Sequence, residues 1–469
     1  MVRTPLLYAL ALLLALAFTL VSRDPQSDPR LKRAARGGER GGWIQVHLEG
    51  KPSEIGFQHG YLLAAEIKDA FQDISAELMH DEKKDWEFFR KTAREVFWPH
   101  IEQEYRDELS GIVEGLKARQ VKIDVKLDVW DLVALNAWLE LPYYDKWLTR
   151  GTAPTDTNGA DHCSAFVATG SFTKDGRVVI GHNNWTSYAS GERWNIMFDI
   201  TPASGHRILM DGMAGLIHSG DDFGLNSAGI IITETTIAGF RGFDPNGVPE
   251  FVRARRAMQY SESIDDFAGT MRDGNNGGYA NTWLVADRKN NEIASLELGL
   301  KNVTLKRSKD GFFVGSNFPA DPKLIKEETD FDPNDRSRSE NSRHERWRAL
   351  MQEYRGKIDV ATGQMFLGDH YDSFEGKVNA SERTLCGHVD ASPRGMGTWQ
   401  APYAPAGAVQ NKVTDAAGAE KMSLTAALGH ACGRNFRAAE HLAAHPEFAW
   451  QKPILRDMDA RGWTRFTSK

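Results

Sequence analysis

The sequence is short of cysteine: its 469 residues carry only three, Cys163, Cys386 and Cys432. Three thiols cannot build the disulfide framework of a small secreted scaffold. Cys-x-x-Cys and His-Glu-x-x-His spacings are both absent, so a zinc site has little support and no metal or other cofactor is expected. A basic excess is missing too. The formal net charge is −7, which offers no phosphate footprint and argues against a nucleic-acid partner. Short basic runs such as Lys306 to Lys309 read as solvated strand or loop ends. There is no internal repeat and no long low-complexity stretch. Long apolar runs are absent but for one, Leu6 to Val21, which follows Arg3 and ends at Arg23 and Asp24. It is shorter than the roughly 20 residues that span a bilayer comfortably, and its positive-then-apolar order is that of an export signal. Thr19-Leu20-Val21-Ser22 lacks a clean small-x-small cleavage pattern. An uncleaved signal anchor, with membrane association through it, is therefore the alternative to a cleaved peptide over residues 1–22. Either way the expected location is exported: periplasmic, secreted or lumenal.

Hydrophobic residues make up 41% and charged residues 26%, an ordinary balance for a globular chain with a large core. Residues 23–42 are polar, basic and Gly-rich, and read as a flexible tether. Residues 43–150 read as helical. Gly60 to Phe71 and Trp130 to Leu141 repeat apolar residues at helical spacing, and Pro142 is expected to close the second. Residues 151–162 hold no apolar residue larger than Ala or Pro and read as an exposed linker, where chains are cut. From residue 163 to 469 the texture changes. Ser164–Thr173, Lys174-Asp175-Gly176 and Arg177–Ile180 predict a hairpin. Further strands are expected at 194–200, 207–210, 229–237, 283–286 and 292–298, with 301–306 and 311–314 completing an antiparallel meander. Helices are expected at 251–260, 263–272, 342–354 and 423–431. Strand runs followed by helix runs predict an α+β fold.

In an exported protein two of three cysteines can pair, leaving one reactive thiol. Cys386 and Cys432 sit in similar contexts, Thr-Leu-Cys-Gly-His and His-Ala-Cys-Gly-Arg, so a disulfide between them is one reading and two buried thiols the other. Cys163 lies where the polar linker meets the first strand. Read by itself it is an inert thiol more often than a catalyst, but the junction supplies a mechanism. A cysteine with a free α-amine carries its own general base, and its thiolate is the nucleophile. Before cleavage the same sulfur can attack the carbonyl of His162, giving a thioester that water resolves and exposing Cys163 as a new N-terminus.

Cys163-Ser-Ala-Phe, Gly181-His-Asn-Asn-Trp-Thr-Ser-Tyr188 and Gly224-Leu-Asn-Ser-Ala-Gly-Ile-Ile-Ile-Thr-Glu-Thr-Thr-Ile237 together resemble the phospholipase B-like family. More distantly, their order is similar to the choloylglycine hydrolases and penicillin acyltransferase-type self-processing hydrolases. Gly315-Ser-Asn317, Ser342-Arg-His-Glu-Arg-Trp347, Gly407–Thr414, Pro446–Trp450 and, upstream, Gly56-Phe-Gln-His-Gly60 and Leu132–Glu140 extend the resemblance. It implies a four-layer α-β-β-α sandwich of the N-terminal-nucleophile type, a helical propeptide region, and hydrolysis of an acyl amide or acyl ester through an acyl-enzyme. The substrate it implies is an acylated small molecule or lipid. By position, the resemblance makes Cys163 the nucleophile and sets His182, Asn183, Asn184 and Trp185 around its sulfur. Asn317 would serve an oxyanion hole, where such a donor contributes on the order of 3 kcal/mol. Thr236, in preference to Thr235, would add a polar group, and Arg346 would hold the site by a charge-assisted hydrogen bond. Bland alternatives stand beside these: a core histidine, β-propensity threonines, a solvated helix arginine. Asn226 is assigned to its turn. An acyltransferase with an amine acceptor, and a non-catalytic exported binding protein of the same fold, are the competing readings. Oligomeric state is not legible.

Overall fold

A computed structural model describes residues 28–119, 127–149, 162–221, 223–397 and 400–469. The expected export segment and nearly all of the processing linker lie outside these residues. Seventeen strands were identified among the described residues. Nine form one sheet: β1 (Ala35–Arg40), β2 (Trp43–Gly50), β5 (Ile196–Pro202), β6 (Ile208–Gly212), β7 (Gly224–Asn226), β8 (Ile230–Thr236), β9 (Asn281–Asp287), β10 (Glu292–Leu298) and β11 (Val303–Ser308), in that spatial order. Six form a second, in the order β12 (Gly311–Gly315), β3 (His162–Thr169), β4 (Val179–Ser187), β15 (Ala406–Asp415), β16 (Ser423–Leu428) and β17 (Thr464–Thr467). A short hairpin pairs β13 (Tyr371–Asp372) with β14 (Lys377–Val378).

Three apolar layers separate four structural ones. Ala165, Val167 and Ile180 of the smaller sheet pack against Met197, Leu209, Leu225, Ile231 and Leu284 of the larger one. The outer face of the larger sheet, with Ile196, Phe198, Ile230, Ile232 and Trp283, is covered by the helices from Pro52 to Leu148 and from Glu250 to Arg272. The outer face of the smaller sheet, with Phe166, Val179 and Val413, is covered by helices Ser339–Glu353 and Val360–Leu367 through Trp347, Leu350, Met351 and Phe366. The result is the α-β-β-α sandwich that the resemblance implies, with strand alternation assigning each residue to a layer.

Several expectations change. The described part of the supposed tether, from residue 28, is ordered structure. A 3₁₀ turn spans Pro29–Arg33, and β1 folds back on β2 with Arg40 opposite Trp43. Gly41 and Gly42 take φ of 58° and 85°, the left-handed angles that a two-residue hairpin needs. The region over 43–150 is not wholly helical either. Its strand β2 lies parallel to β5, Ile44 opposite Ile196, so residues ahead of Cys163 build the larger sheet. The expected helix over 60–71 is interrupted at Leu63, between helices Pro52–Leu62 and Ala64–Glu82. Pro142 sits in the first turn of the helix Leu141–Leu148 rather than after a helix, where its missing N–H costs nothing. Strand β12 leaves the meander, crosses at Lys309-Asp310 and pairs with β3, Gly311 opposite Thr169. Residues 423–431 start as strand β16, not helix, because pairing between β15 and β17 overrides the helix preference of their alanines.

Candidate active site

Cys163 is the second residue of β3 and is fully buried. It shares its face with Ala165 and Val167, so its sulfur points between the two sheets. On one side β3 pairs with β4, Cys163 opposite Asn184. On the other, the ladder with β12 ends at Ala165–Gly315. Beyond that point, on this side, no strand among the described residues meets the main chain of Cys163, yet its buried polar groups need partners. Two side chains supply them. Asn317 Oδ1 accepts from the Cys163 backbone N at 3.1 Å, and Arg343 Nη1 donates to the Cys163 carbonyl at 2.5 Å.

These two residues are locked by their own contacts. Asn317 follows β12 with φ 64°, a left-handed angle that asparagine tolerates. Its Oδ1 also accepts from Arg343 Nη2 at 2.9 Å, and its Nδ2 donates to the Thr236 carbonyl at 2.9 Å. Two donors on one atom and an acceptor on the other fix the orientation of the amide. Arg343, from the helix Ser339–Glu353, also reaches Ser164 Oγ at 3.1 Å and Ser339 Oγ at 2.9 Å, and lies 4.4 Å over the Trp185 ring. Burial lowers its pKa to about 10, against the opposing pull of Glu340 and Cys163; it remains a cation at neutral pH.

The sulfur's side of β4 carries His182 and Asn184. Asn184 Oδ1 lies 3.8 Å from Cys163 Sγ, and its Nδ2 donates to Gln410 Oε1 at 2.8 Å. His182 is fully buried; a ring nitrogen, a Glu234 carboxylate oxygen and Cys163 Sγ lie within 4.8 Å of one another. Burial, and then the Lys412 ammonium, hold the His182 pKa well below its usual value, so the ring is neutral. Its Nδ1 stands 3.8 Å from Asp221 Oδ2. Lys412, opposite His182 on β15, is itself buried between Asp211 at 2.9 Å and Asp221. Against the cost of burial, the two carboxylates keep this lysine above its ordinary pKa. A charged network thus runs from the larger sheet to the histidine beside Cys163.

The structure therefore brings together Cys163, His182, Asn184 and Asn317 and rearranges the rest. Asn183 turns to the opposite face and donates to the carbonyls of Leu367 and Leu385 at 2.9 and 2.8 Å. Trp185 also faces away from the sulfur, beneath Arg343. One N–H of the Asn317 amide goes to the Thr236 carbonyl while its Oδ1 holds the Cys163 nitrogen; the amide carries a second N–H, so the oxyanion role that the resemblance implies stands beside this holding role. Thr236 contributes that carbonyl. Alternation along β8 puts Thr235 with Ile231 on the inner face, and its side chain fills the space beside Gly315, where a Cβ would come within 2.5 Å of it. Arg346 pairs with Asp369 at 2.9 and 2.6 Å, away from Cys163; the arginine at the site is Arg343. Its stripe explains this: Arg343, Trp347, Leu350 and Met351 recur at helical spacing on the buried face, and Arg346 falls off it. That signal was present in the sequence. Nothing local marked Glu234, Lys412, Asp211 or Asp221. Asn226 serves its turn, accepting from Ile230 N and donating to the carbonyls of Met258 and Ser261. All three cysteines are free thiols in the structure, so of the two readings Cys386 and Cys432 follow the unpaired one.

Comparison with known sequences matches residues 49–320, more than half of the chain, to the family described as phospholipase B. The chain belongs to the phospholipase B family. An uncharacterized protein of Archaeoglobus fulgidus is 29% identical over 60% of this chain and 48% of its own length. Human phospholipase B-like 1 is 25% identical over 50% of this chain and 47% of its own. The phospholipase B chain described here thus spans about half the length, or less, of the curated relatives it matches. Among solved structures, a variant of conjugated bile acid hydrolase from Clostridium perfringens is similar over 56% of this chain and 88% of that one, at 12% identity and a TM-score of 0.32. Penicillin V acylase from Agrobacterium tumefaciens is similar over 56% and 82%, at 10% identity and a TM-score of 0.30. No helix among the described residues of this family member is long and apolar enough to cross a membrane.

Proposed function

We propose that the chain is an exported, self-processing cysteine hydrolase of the N-terminal-nucleophile type, acting on acyl ester or acyl amide bonds through a thioester. One observation carries the reading: the backbone nitrogen and carbonyl of Cys163, at the open end of its ladder, are each held by a buried side chain whose own geometry is fixed. A strand end needs a cap, but not a buried arginine laid across an indole and shared with an asparagine. Such a grip suits a residue whose nitrogen must become a positioned amine.

The chemistry follows from that grip. In the intact chain Cys163 Sγ attacks the His162 carbonyl, the His162–Cys163 C–N bond breaks, and the nitrogen leaves as an amine after taking up a proton. Water then hydrolyses the thioester, leaving a His162 carboxylate and a free Cys163. In turnover the amine removes the thiol proton, the thiolate adds to a substrate carbonyl, and the protonated amine returns that proton to the leaving alcohol or amine. Water releases the acid and restores the thiol. The family description favours a lipid acyl ester as substrate.

Intact-mass analysis of the purified protein tests the processing step. Cleavage between His162 and Cys163 is expected in the wild type, and none there in Cys163→Ala. An unprocessed wild type, or a Cys163→Ala protein that is still cut at this bond and still turns over substrate, overturns the reading. Matched long-chain acyl esters and acyl amides then decide the substrate bond.

A further inference from the structure

Behind the site, on the outer side of the smaller sheet, four side chains from separate loops converge. They are His370, just ahead of β13, Cys386 and His388, in the loop that leads to β15, and Cys432, after β16. One nitrogen or sulfur from each lies within 4.8 Å of all the others. His370 Nε2 and His388 Nε2 are 3.1 Å apart, and His388 Nε2 is 3.6 Å from both Cys386 Sγ and Cys432 Sγ.

We propose that these four residues form a structural zinc site, Cys2His2 and tetrahedral, that braces the active site from behind. The edges support it. Zinc bonds of about 2.0–2.1 Å to nitrogen and about 2.3 Å to sulfur place tetrahedral ligands about 3.3 Å apart for two nitrogens and about 3.6 Å for nitrogen and sulfur. The separations of 3.1 Å between the nitrogens and 3.6 Å from nitrogen to each sulfur lie close to these values. The donor types, two thiols and two imidazoles, are those that tetrahedral zinc takes. Four protein ligands close the coordination sphere, which marks a structural site and not one that activates water.

The surroundings fit as well. His388 Nδ1 is 3.7 Å from Asp390 Oδ1, and Asp390 in turn accepts from Tyr188 Oη at 2.8 Å. A carboxylate behind a ligating histidine sets its tautomer and orientation. Cys386 and His388 are buried, whereas His370 and Cys432 are half-buried and offer an entry path.

Two contacts connect the cluster to catalysis. Gly387, between two ligands, lies flat on Trp185; a Cβ there would stand 2.3 Å from the indole. Trp185 carries Arg343 on its ring, and Arg343 holds Cys163. The Arg346–Asp369 pair anchors the residue next to His370, and the Asp369 main-chain carbonyl accepts from Cys386 N at 3.1 Å. The cluster lies outside the segment that matches the family, and its ligands are too scattered along the chain for any spacing motif to reveal them.

The full-length protein, purified under reducing conditions, is assayed for metal by mass spectrometry, with cobalt substitution as the spectroscopic check. About one zinc per chain is expected, and the cobalt form should show the intense visible bands of tetrahedral coordination with thiolate-to-cobalt charge transfer. Cys432→Ser and His370→Ala should lose the zinc. Chelation should lower the melting temperature of the wild type and leave that of the variants unchanged. Wild-type protein that holds no zinc and takes up neither added zinc nor cobalt overturns the proposal, as does a Cys386–Cys432 disulfide in non-reducing peptide maps of freshly isolated protein. If both variants fail to fold, the metal content and cobalt spectrum of the wild type decide alone. None of these readouts depends on turnover or on cleavage at Cys163.

Discussion

Arg343 satisfies three acceptors at the site at once: the Cys163 carbonyl, Ser164 Oγ and Asn317 Oδ1. A lysine keeps the charge but cannot hold that fork or lie flat on Trp185. Losing one charged hydrogen bond costs about 1.5–3 kcal/mol, so Arg343→Lys should slow cleavage at Cys163 and lower kcat/KM by roughly 10- to 100-fold. Arg346→Ala removes a bidentate pair with Asp369 that does not touch Cys163, and should lower kcat/KM less than Arg343→Lys. Single-turnover processing and steady-state kinetics on the two variants check this; equal losses would contradict the assignment of Arg343. At this scale the chemistry-bearing types were legible and their directions were not. The structure brings Cys163, His182 and Asn317 together. Asn183 and Trp185 face away from the sulfur because adjacent strand residues face opposite layers, and only the sheet-to-sheet packing says which layer holds the site.

At the scale of elements, the stretch Gly56-Phe-Gln-His-Gly60 shows why a motif far from Cys163 matters. Helix Pro52–Leu62 crosses helix Gln103–Arg119 with Gly56 and Gly60 against Gly111 and Gly115. A Cβ on Gly60 would fall 2.0 Å from the Ile112 carbonyl oxygen, and one on Gly56 1.9 Å from that of Glu108. These clashes are with main chain and no rotamer relieves them. Gly60→Ala should destabilise the protein by about 1–3 kcal/mol, read as a lower melting temperature in circular dichroism. An unchanged melting temperature would mean that the helices separate freely. Between the glycines, Gln58 Nε2 donates to the carbonyls of Arg30 and Glu49, and His59 Nε2 accepts from Gly215 N, so the motif ties this helix pair to the larger sheet. Elements with a strong period or a turn signal, such as the helices at 250–272 and the hairpin over 281–298, were legible from the sequence. Strand β16 was not, because its alanines carry no β preference of their own and its state is decided by the strands on either side.

For the whole molecule, cleavage before Cys163 would not separate the two segments. Strands β1 and β2 extend the larger sheet and the helices from Pro52 to Leu148 cover it, so the mature protein should elute as one species in native buffer and resolve into two chains only under denaturing conditions. The joint has its own pH dependence. His47 of β2 meets Asp199 of β5 at 2.9 Å, and Asp199 also accepts from Ser468 Oγ and Lys469 N. The bond to Asp199 raises the His47 pKa above its usual 6.5, although burial opposes it. A raised histidine pKa stabilises the folded state fully below the unfolded value, and that contribution is lost as pH rises through the folded one. Melting temperature should therefore fall across this interval above pH 6.5, and His47→Asn should flatten that fall; an identical alkaline slope in the variant would remove His47 as its cause.

The sequence by itself determined the fold class, the family and the cysteine at the head of the central strand, because periodicity, turn residues and the order of short motifs are local properties of the chain. The tertiary structure decided which arginine holds that cysteine, that Asn317 holds its nitrogen, that the residues ahead of it belong to the sheet, and that two histidines meet two thiols behind it. Each of these depends on groups far apart in sequence reaching within a few ångströms of one another, and that proximity is set by how the two sheets stack and not by any spacing along the chain.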